Sequence, residues 1–342
     1  MRVLLYATLV FFILVPLVAG VFFFINISPA QNIRWGVTFA HSQAEALGTD
    51  WRASLSALLD DLGVRHFRIP IYWDELEQAE GEFNFSIWDE QLEEIEKRGG
   101  TAILAIGQKL PRWPECRVPA WLSGLPEQEQ NERVLIMLEE AVARYRGNPT
   151  VISWQVENEP IHNFGACDQA PLWRGGTPDK AMLDLEIELV RKLDPSRDVI
   201  ITDTAQFSLW YEASKRTNII GGSVYRILYN RHLGYVKYRL PAQFYALKAQ
   251  LINLVHPGTK IIISELQAEP WPLAERISDV SIEEQYETMS PAQFRENIEL
   301  ARATGFDEIY LWGGEWFYWL TTQGETEIWD EAEKLFIESK LP

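Results

Sequence analysis

Histidine, cysteine and basic residues are what this sequence has least of, and each shortage removes a class of chemistry. The five histidines, His41, His66, His162, His232 and His256, contain no His-x-His pair or comparable spacing, so the ligand set of a metal-dependent hydrolase is missing. The two cysteines, Cys116 and Cys167, stand far apart and build neither a redox nor a zinc motif. Neither a metal nor another cofactor is expected. Against 49 Asp and Glu there are 31 Lys and Arg, a net charge of −18, with no Lys/Arg block to offer a basic face. Such a surface repels phosphate, which excludes nucleic acid as a partner. No linker or internal repeat breaks the 342 residues, so they make either two average domains or one large barrel.

Apolar and aromatic residues are plentiful instead. A hydrophobic fraction of 47% with 23% charged residues is that of a globular chain with a large core and excludes disorder. The 14 Trp, 12 Tyr and 16 Phe mostly fill that core, but flat apolar rings also suit the faces of sugars. The N-terminus is different in kind. From Val3 to Ile27 no residue is charged, and about 25 apolar residues span a bilayer core of about 30 Å. Arg2 is the only charge before the run, which keeps the N-terminus cytoplasmic and sends the rest outside. Leu17-Val18-Ala19 fits a signal-peptidase cut, yet Val21 to Ile25 prolongs the run beyond an ordinary signal peptide. Residues 1–27 are therefore read as an uncleaved single-pass anchor. Residues 28–342 become an extracytoplasmic domain held at the cell membrane.

Within that domain, short apolar runs alternate with amphipathic segments, the rhythm of parallel βα units. Strands are expected at Ile33–Phe39, Val64–Ile71, Ala102–Ile106, Val151–Val156, Val199–Thr202, Ile219–Val224, Lys260–Ser264 and Glu308–Trp312. Apolar residues recurring at three and four predict helices at Trp51–Leu62, Ile87–Lys97, Asn131–Tyr145, Lys180–Leu193, Gln206–Lys215, Ala242–Leu254, Pro291–Thr304 and Trp329–Glu338. Eight strands, each followed by a helix, read as one (β/α)8 TIM barrel. The segments Gly107–Pro126 and Tyr225–Pro241 are too long for minimal connections and follow strand C-termini, where barrel enzymes build their sites.

Acids at those strand ends carry the chemistry. The fourth strand leads into Glu157-Asn158-Glu159-Pro160, and the seventh, an isoleucine run, into Glu265. Retaining hydrolysis of a glycoside needs two carboxyl groups, one to attack the anomeric carbon and one to protonate the leaving oxygen and then activate water. Asn158-Glu159-Pro160 after strand four with Glu265 three strands later resembles glycoside hydrolase clan A, the retaining (β/α)8 glycosidases that include the cellulase-like family 5. The resemblance covers the whole barrel. It implies that Glu159 is the acid/base and Glu265 the nucleophile, and that Asn158 binds the sugar 2-hydroxyl. Arg68, in Phe67-Arg-Ile-Pro70, matches the arginine that keeps the nucleophile charged. Trp312 resembles the tryptophan beneath the sugar, and Tyr225 the tyrosine that bonds the nucleophile, with Tyr229 as its rival. His41, after strand one, is expected to touch a sugar hydroxyl or else to be a satisfied structural histidine. Trp73 is read as loop packing. Glu157 and Glu269 are the nearest competing acids.

Cys116 and Cys167 fall in the loops after strands three and four, and a disulfide between them would pin the barrel entrance. The stretch Tyr225–Arg239 mixes tyrosines with basic residues and reads as an ordered covering loop, a set of subsites, or a surface for anionic headgroups. The implied partner is a β-linked oligosaccharide or polysaccharide. A noncatalytic carbohydrate-binding barrel is the alternative of a different class.

Overall fold

The computed structural model describes residues 27–162, 167, 171–173, 179–230, 232–274 and 276–338. The apolar run read as an anchor lies outside these residues except for Ile27. Among the described residues no helix is long and apolar enough to cross a membrane.

All eight expected strands form: β1 (Arg34–Thr38), β2 (His66–Pro70), β3 (Thr101–Ile106), β4 (Val151–Val156), β5 (Asp198–Thr204), β6 (Ile219–Val224), β9 (Lys260–Gln267) and β10 (Glu308–Trp312). Two further strands, β7 (Ile227–Asn230) and β8 (Gly234–Lys237), form a separate antiparallel hairpin. The eight pair in parallel in the closed order β1-β10-β9-β6-β5-β4-β3-β2, a (β/α)8 barrel. β9 runs past Ser264, the end read from sequence, to Gln267. Leu266 and Gln267 pair with Leu311 and Trp312, so Glu265 sits inside the strand.

Strand residues alternate between two packing environments, as a period of two requires. Leu104, Ile201, Ile263 and Leu311 join the main core, while their neighbours Ile103, Ile200, Ile262 and Tyr310 form a smaller cluster of their own in the lumen. Arg68 lies opposite Ile103 and Thr38 opposite Arg68, so both share the lumen phase. Gln155, two residues beyond Ser153, which is the partner of Ile103, does the same. Glycine is required at Gly36, because a Cβ there would come within 2.6 Å of the Tyr310 ring.

Helices close the barrel from outside. Trp51–Asp60 starts at Asp50, whose carboxylate accepts from the Arg52 N–H, and buries Trp51, Leu55, Leu58 and Leu59 on one face. Pro291–Ala303 has Ser290 as its cap and Pro291 in its first turn. The expected helix Gln206–Lys215 shrinks to Tyr211–Ser214. Trp210 is buried in the left-handed region at φ 62°, and the Ser208 hydroxyl accepts from its N–H, so the chain turns where a helix would need regular geometry. Helices His41–Ala46, Ile282–Met289 and Gly314–Thr322 were not expected, and Gly314–Thr322 lies between β10 and the expected C-terminal helix, which spans Glu327–Glu338.

Candidate active site

Arg68 organises the mouth of the barrel. Its side chain is fully buried, and its guanidinium donates from Nε to Gln155 Oε1 (2.6 Å), from Nη1 to Glu265 Oε1 (2.8 Å) and from Nη2 to Asn158 Oδ1 (2.8 Å). A planar fork with fixed donor directions thus ties β2, β4 and β9 together. The second oxygen of Glu265 accepts from the Tyr225 hydroxyl at 3.0 Å. Burial, then the charge of Glu265, push the Tyr225 hydroxyl well above its usual range, so it stays a donor. The rival Tyr229 lies on the hairpin, half-exposed and stacked edge-on against Tyr235. Gln267 bolts the base of that hairpin to β9, accepting from the N–H groups of Arg226 and Ile227 and donating to the Ile227 carbonyl.

Asn158 and Glu159 leave β4 through a strained turn. Glu157 and Glu159 both have positive φ, 61° and 46°, conformations that non-glycine residues hold only when their surroundings impose them. The constraints are visible. The Glu159 N–H donates to Thr202 Oγ1 (2.8 Å), the Thr202 hydroxyl donates to Asn158 Oδ1 (3.1 Å), and the Asn158 N–H reaches the Lys109 carbonyl (2.8 Å). Burial pushes the Glu159 carboxyl up to about 7, with the charge of Glu265 adding to the rise. One acid is thus held on an arginine while the other keeps its proton near neutral pH.

The competing acids are occupied otherwise. Glu157 points away into the protein, where its two oxygens accept from the N–H groups of Gln108 (2.7 Å) and Lys109 (2.8 Å). A Cβ on Gly107 would overlap this carboxylate, which explains the glycine. Behind it Glu186 accepts from Gln108 Nε2 at 2.7 Å. Burial raises both Glu157 and Glu186, and Glu186 is raised further by the charge of Glu157, so the pair shares a proton. Glu269 is paired with Arg112, which also binds Glu315, and burial lifts Glu269 to about 7 in spite of the arginine. The Arg112 guanidinium lies 4.3 Å above the Trp312 ring, and Tyr225 meets the edge of that ring.

His41 is corrected to a structural role. It is buried among Trp51, Tyr72 and Trp88, its Nε2 lies 2.5 Å from Glu75 Oε2, and Gln91 faces its Nδ1, so neither ring nitrogen is free for a sugar. Trp73 is buried and donates to Glu77, as loop packing requires. Cys116 and Cys167 are disulfide-bonded with Cα atoms 5.0 Å apart, joining the loops after β3 and β4. Gln155, Thr202, Lys109, Glu115 and Arg112 belong to the site but were not singled out from sequence. Alternation along β4 and β5 marks the first two; the last three come from a loop with no periodic signal. Among the described residues no group of His, Cys, Asp and Glu is set to hold a metal ion.

Two acids at the mouth ends of different strands, one paired with arginine and one with its carboxyl raised to about 7, are what double-displacement hydrolysis of a glycoside asks of a barrel. Comparison of the sequence with family models names the family. The cellulase model, glycosyl hydrolase family 5, matches residues 34–257, and the chain belongs to that family. No curated protein matches the sequence. Among solved structures, a β-galactosidase from the psychrophilic Marinomonas ef1 is similar with a TM-score of 0.56 at 15% identity, over 90% of this chain and 60% of that one. Native xylanase 10B from Thermotoga maritima gives 0.59 at 14%, over 90% and 97%. Xylanase 10B from Thermotoga petrophila RKU-1, solved with xylobiose, gives 0.56 at 15%, over 84% and 86%. Likeness at this identity is one of fold. The chain spans no more than 60% of the length of the first β-galactosidases it matches.

Proposed function

We propose that the protein hydrolyses an O-glycosidic bond in a β-linked glycoside or polysaccharide with retention, Glu265 acting as nucleophile and Glu159 as acid/base. The observation that carries this reading is the contrast between the two carboxyls. Glu265 is held by Arg68 and Tyr225, while Glu159 is raised to about 7. In the first step a Glu265 oxygen bonds to the anomeric carbon as the bond to the leaving oxygen breaks, and that oxygen takes the proton of Glu159. Glu265 is then a neutral ester, which removes the neighbouring charge that helped raise Glu159. The now ionised Glu159 takes a proton from water as the water oxygen attacks the anomeric carbon, and Glu265 leaves as carboxylate. Trp312 supplies an aromatic surface beneath the sugar, and Asn158 a hydrogen bond to its 2-hydroxyl.

The family and a xylanase neighbour solved with xylobiose support a β-linked glycan as substrate. The uncharged run from Val3 to Ile27 supports a single-pass anchor with the barrel outside the cell membrane, and the disulfide suits such an oxidising compartment. Replacing Glu159 with Ala tests the acid/base role. Hydrolysis should slow most for aryl β-glycosides with poor leaving groups and recover with azide, giving the β-glycosyl azide. Failure of azide to rescue rejects Glu159, and a wild type inert on β-glucan, mannan, xylan and aryl β-glycosides alike favours a carbohydrate-binding barrel.

A further inference from the structure

The loop after β3 brings a third carboxylate into the site. Its two arms are joined by a bridge between Lys109 and Cys116 and by a hydrogen bond from the Leu110 N–H to the Glu115 carbonyl. The disulfide fixes the returning arm next to Cys167. Glu115 therefore has a defined position. Its Oε1 accepts from Asn158 Nδ2 at 3.0 Å, and its Oε2 lies 3.2 Å from Lys109 Nζ. Lys109 is completely buried, whereas the Glu115 side chain keeps 20% of its surface open. The lysine balances the carboxylate from within the protein, and the open side faces solvent.

The hydrogen-bond capacity left on these two groups is complementary. Asn158 Oδ1 already receives Arg68, Thr202 and Gln155, which fixes the amide with its nitrogen toward Glu115. That nitrogen carries two hydrogens and gives one to Glu115. A carboxylate has about four lone-pair positions, of which Asn158 and Lys109 take two. A hydroxyl is donor and acceptor at once, so one hydroxyl can accept from Asn158 and donate to Glu115. The charges of Glu115 and Glu265 also act on Glu159, which places Glu115 within the same electrostatic enclosure as both acids.

We propose that Glu115 is a specificity-determining residue that, together with the Asn158 amide, holds the 2-hydroxyl of the sugar whose bond is cleaved. This rests on the hydrolase reading above. A site built to hydrogen-bond a hydroxyl rejects the analogue that lacks it, because its own polar groups are then left unpaired. A residue serving only as counter-ion to Lys109 would affect every substrate alike.

The test compares kcat/KM for aryl β-glycosides and their 2-deoxy counterparts in wild type, Glu115→Ala and Glu115→Gln. Thermal unfolding identifies a variant that does not fold. Glu115→Ala should lose about 100-fold on the parent glycoside, as expected for a hydrogen bond to a charged group, but less than about threefold on the 2-deoxy substrate. Glu115→Gln keeps the shape and one acceptor oxygen. It should lose about tenfold on the parent only, and it decides the matter if the alanine variant does not fold. Equal losses on both substrates would overturn the role of Glu115 while leaving the hydrolase reading in place. A wild type that cleaves none of the glycosides overturns the hydrolase reading itself.

Discussion

Arg68 offers the strongest physical perturbation of the site. Its fully buried guanidinium satisfies Gln155, Glu265 and Asn158, with Thr38 at 3.4 Å. Arg68→Met keeps the unbranched stem of the side chain but leaves a buried carboxylate without its cation. Breaking a buried pair from one side costs about 3–5 kcal/mol. For a domain of this size that lowers the thermal midpoint by roughly 6–10 °C, at about 2 °C per kcal/mol. Adding Glu265→Gln removes the stranded charge and should recover about 2 kcal/mol. What remains is the loss of a donor to the amide oxygens of Gln155 and Asn158, at about 1 kcal/mol each. Differential scanning calorimetry of the two single variants and the double variant closes the cycle. A loss below about 1 kcal/mol in Arg68→Met, or a double variant as unstable as the sum of the singles, would refute the pairing.

Three other outcomes are expected. Because Glu159 must donate a proton, kcat/KM should fall as pH rises through about 7, and a basic limb centred below pH 5 would contradict the environment assigned to it. The Glu157–Glu186 pair holds in the folded state a proton that the unfolded chain releases near the usual carboxyl value. Its contribution is therefore fully present below about 4.5, falls as pH climbs through about 7, where Glu157 ionises, and falls further as Glu186, raised well above its usual value, ionises in turn. A rise from 4.5 to about 7 corresponds to about 3 kcal/mol, so Glu186→Gln should lose less of its thermal midpoint between pH 5 and pH 8 than wild type, and parallel curves would disprove proton sharing. Cys116→Ser opens a loop of 51 residues, worth up to about 4 kcal/mol on a chain-entropy model, and an unchanged midpoint would show that the bridge adds nothing.

The barrel was legible because each strand is a short apolar run between helices with a three-and-four pattern, and the alternation of strands and helices specifies parallel pairing. Strand ends in a barrel converge on one mouth whatever their distance in sequence, which is how Arg68 and Glu265 come to be paired; the roles of Glu159, Glu265 and Arg68 were read from the family resemblance. Tyr225 was matched through the family resemblance with Tyr229 as its rival, and the structure puts the Tyr225 hydroxyl on Glu265. Where a residue's surroundings come from distant loops, the sequence carried no comparable signal. His41 sits after β1 like a site residue, yet its partners are Glu75, Gln91 and three aromatic rings from other segments. Arg112 reaches Glu269 and Glu315 from a loop whose path no periodicity describes. Trp210 postpones the start of the expected helix, since its ring is buried and its backbone is left-handed, which no local propensity reports. The hairpin β7–β8 escaped for another reason, since its alternating tyrosines and basic residues read equally well as an irregular cover.

If Glu265 attacks the sugar, the glycosyl-enzyme can be trapped on it. The protein is incubated with an activated 2-fluoro β-glycoside of the sugar it cleaves fastest, digested, and the modified peptide sequenced by mass spectrometry. One sugar per chain, esterified to Glu265, is expected. A label on Glu269 or Glu115, or turnover with inversion at the anomeric carbon, would contradict it.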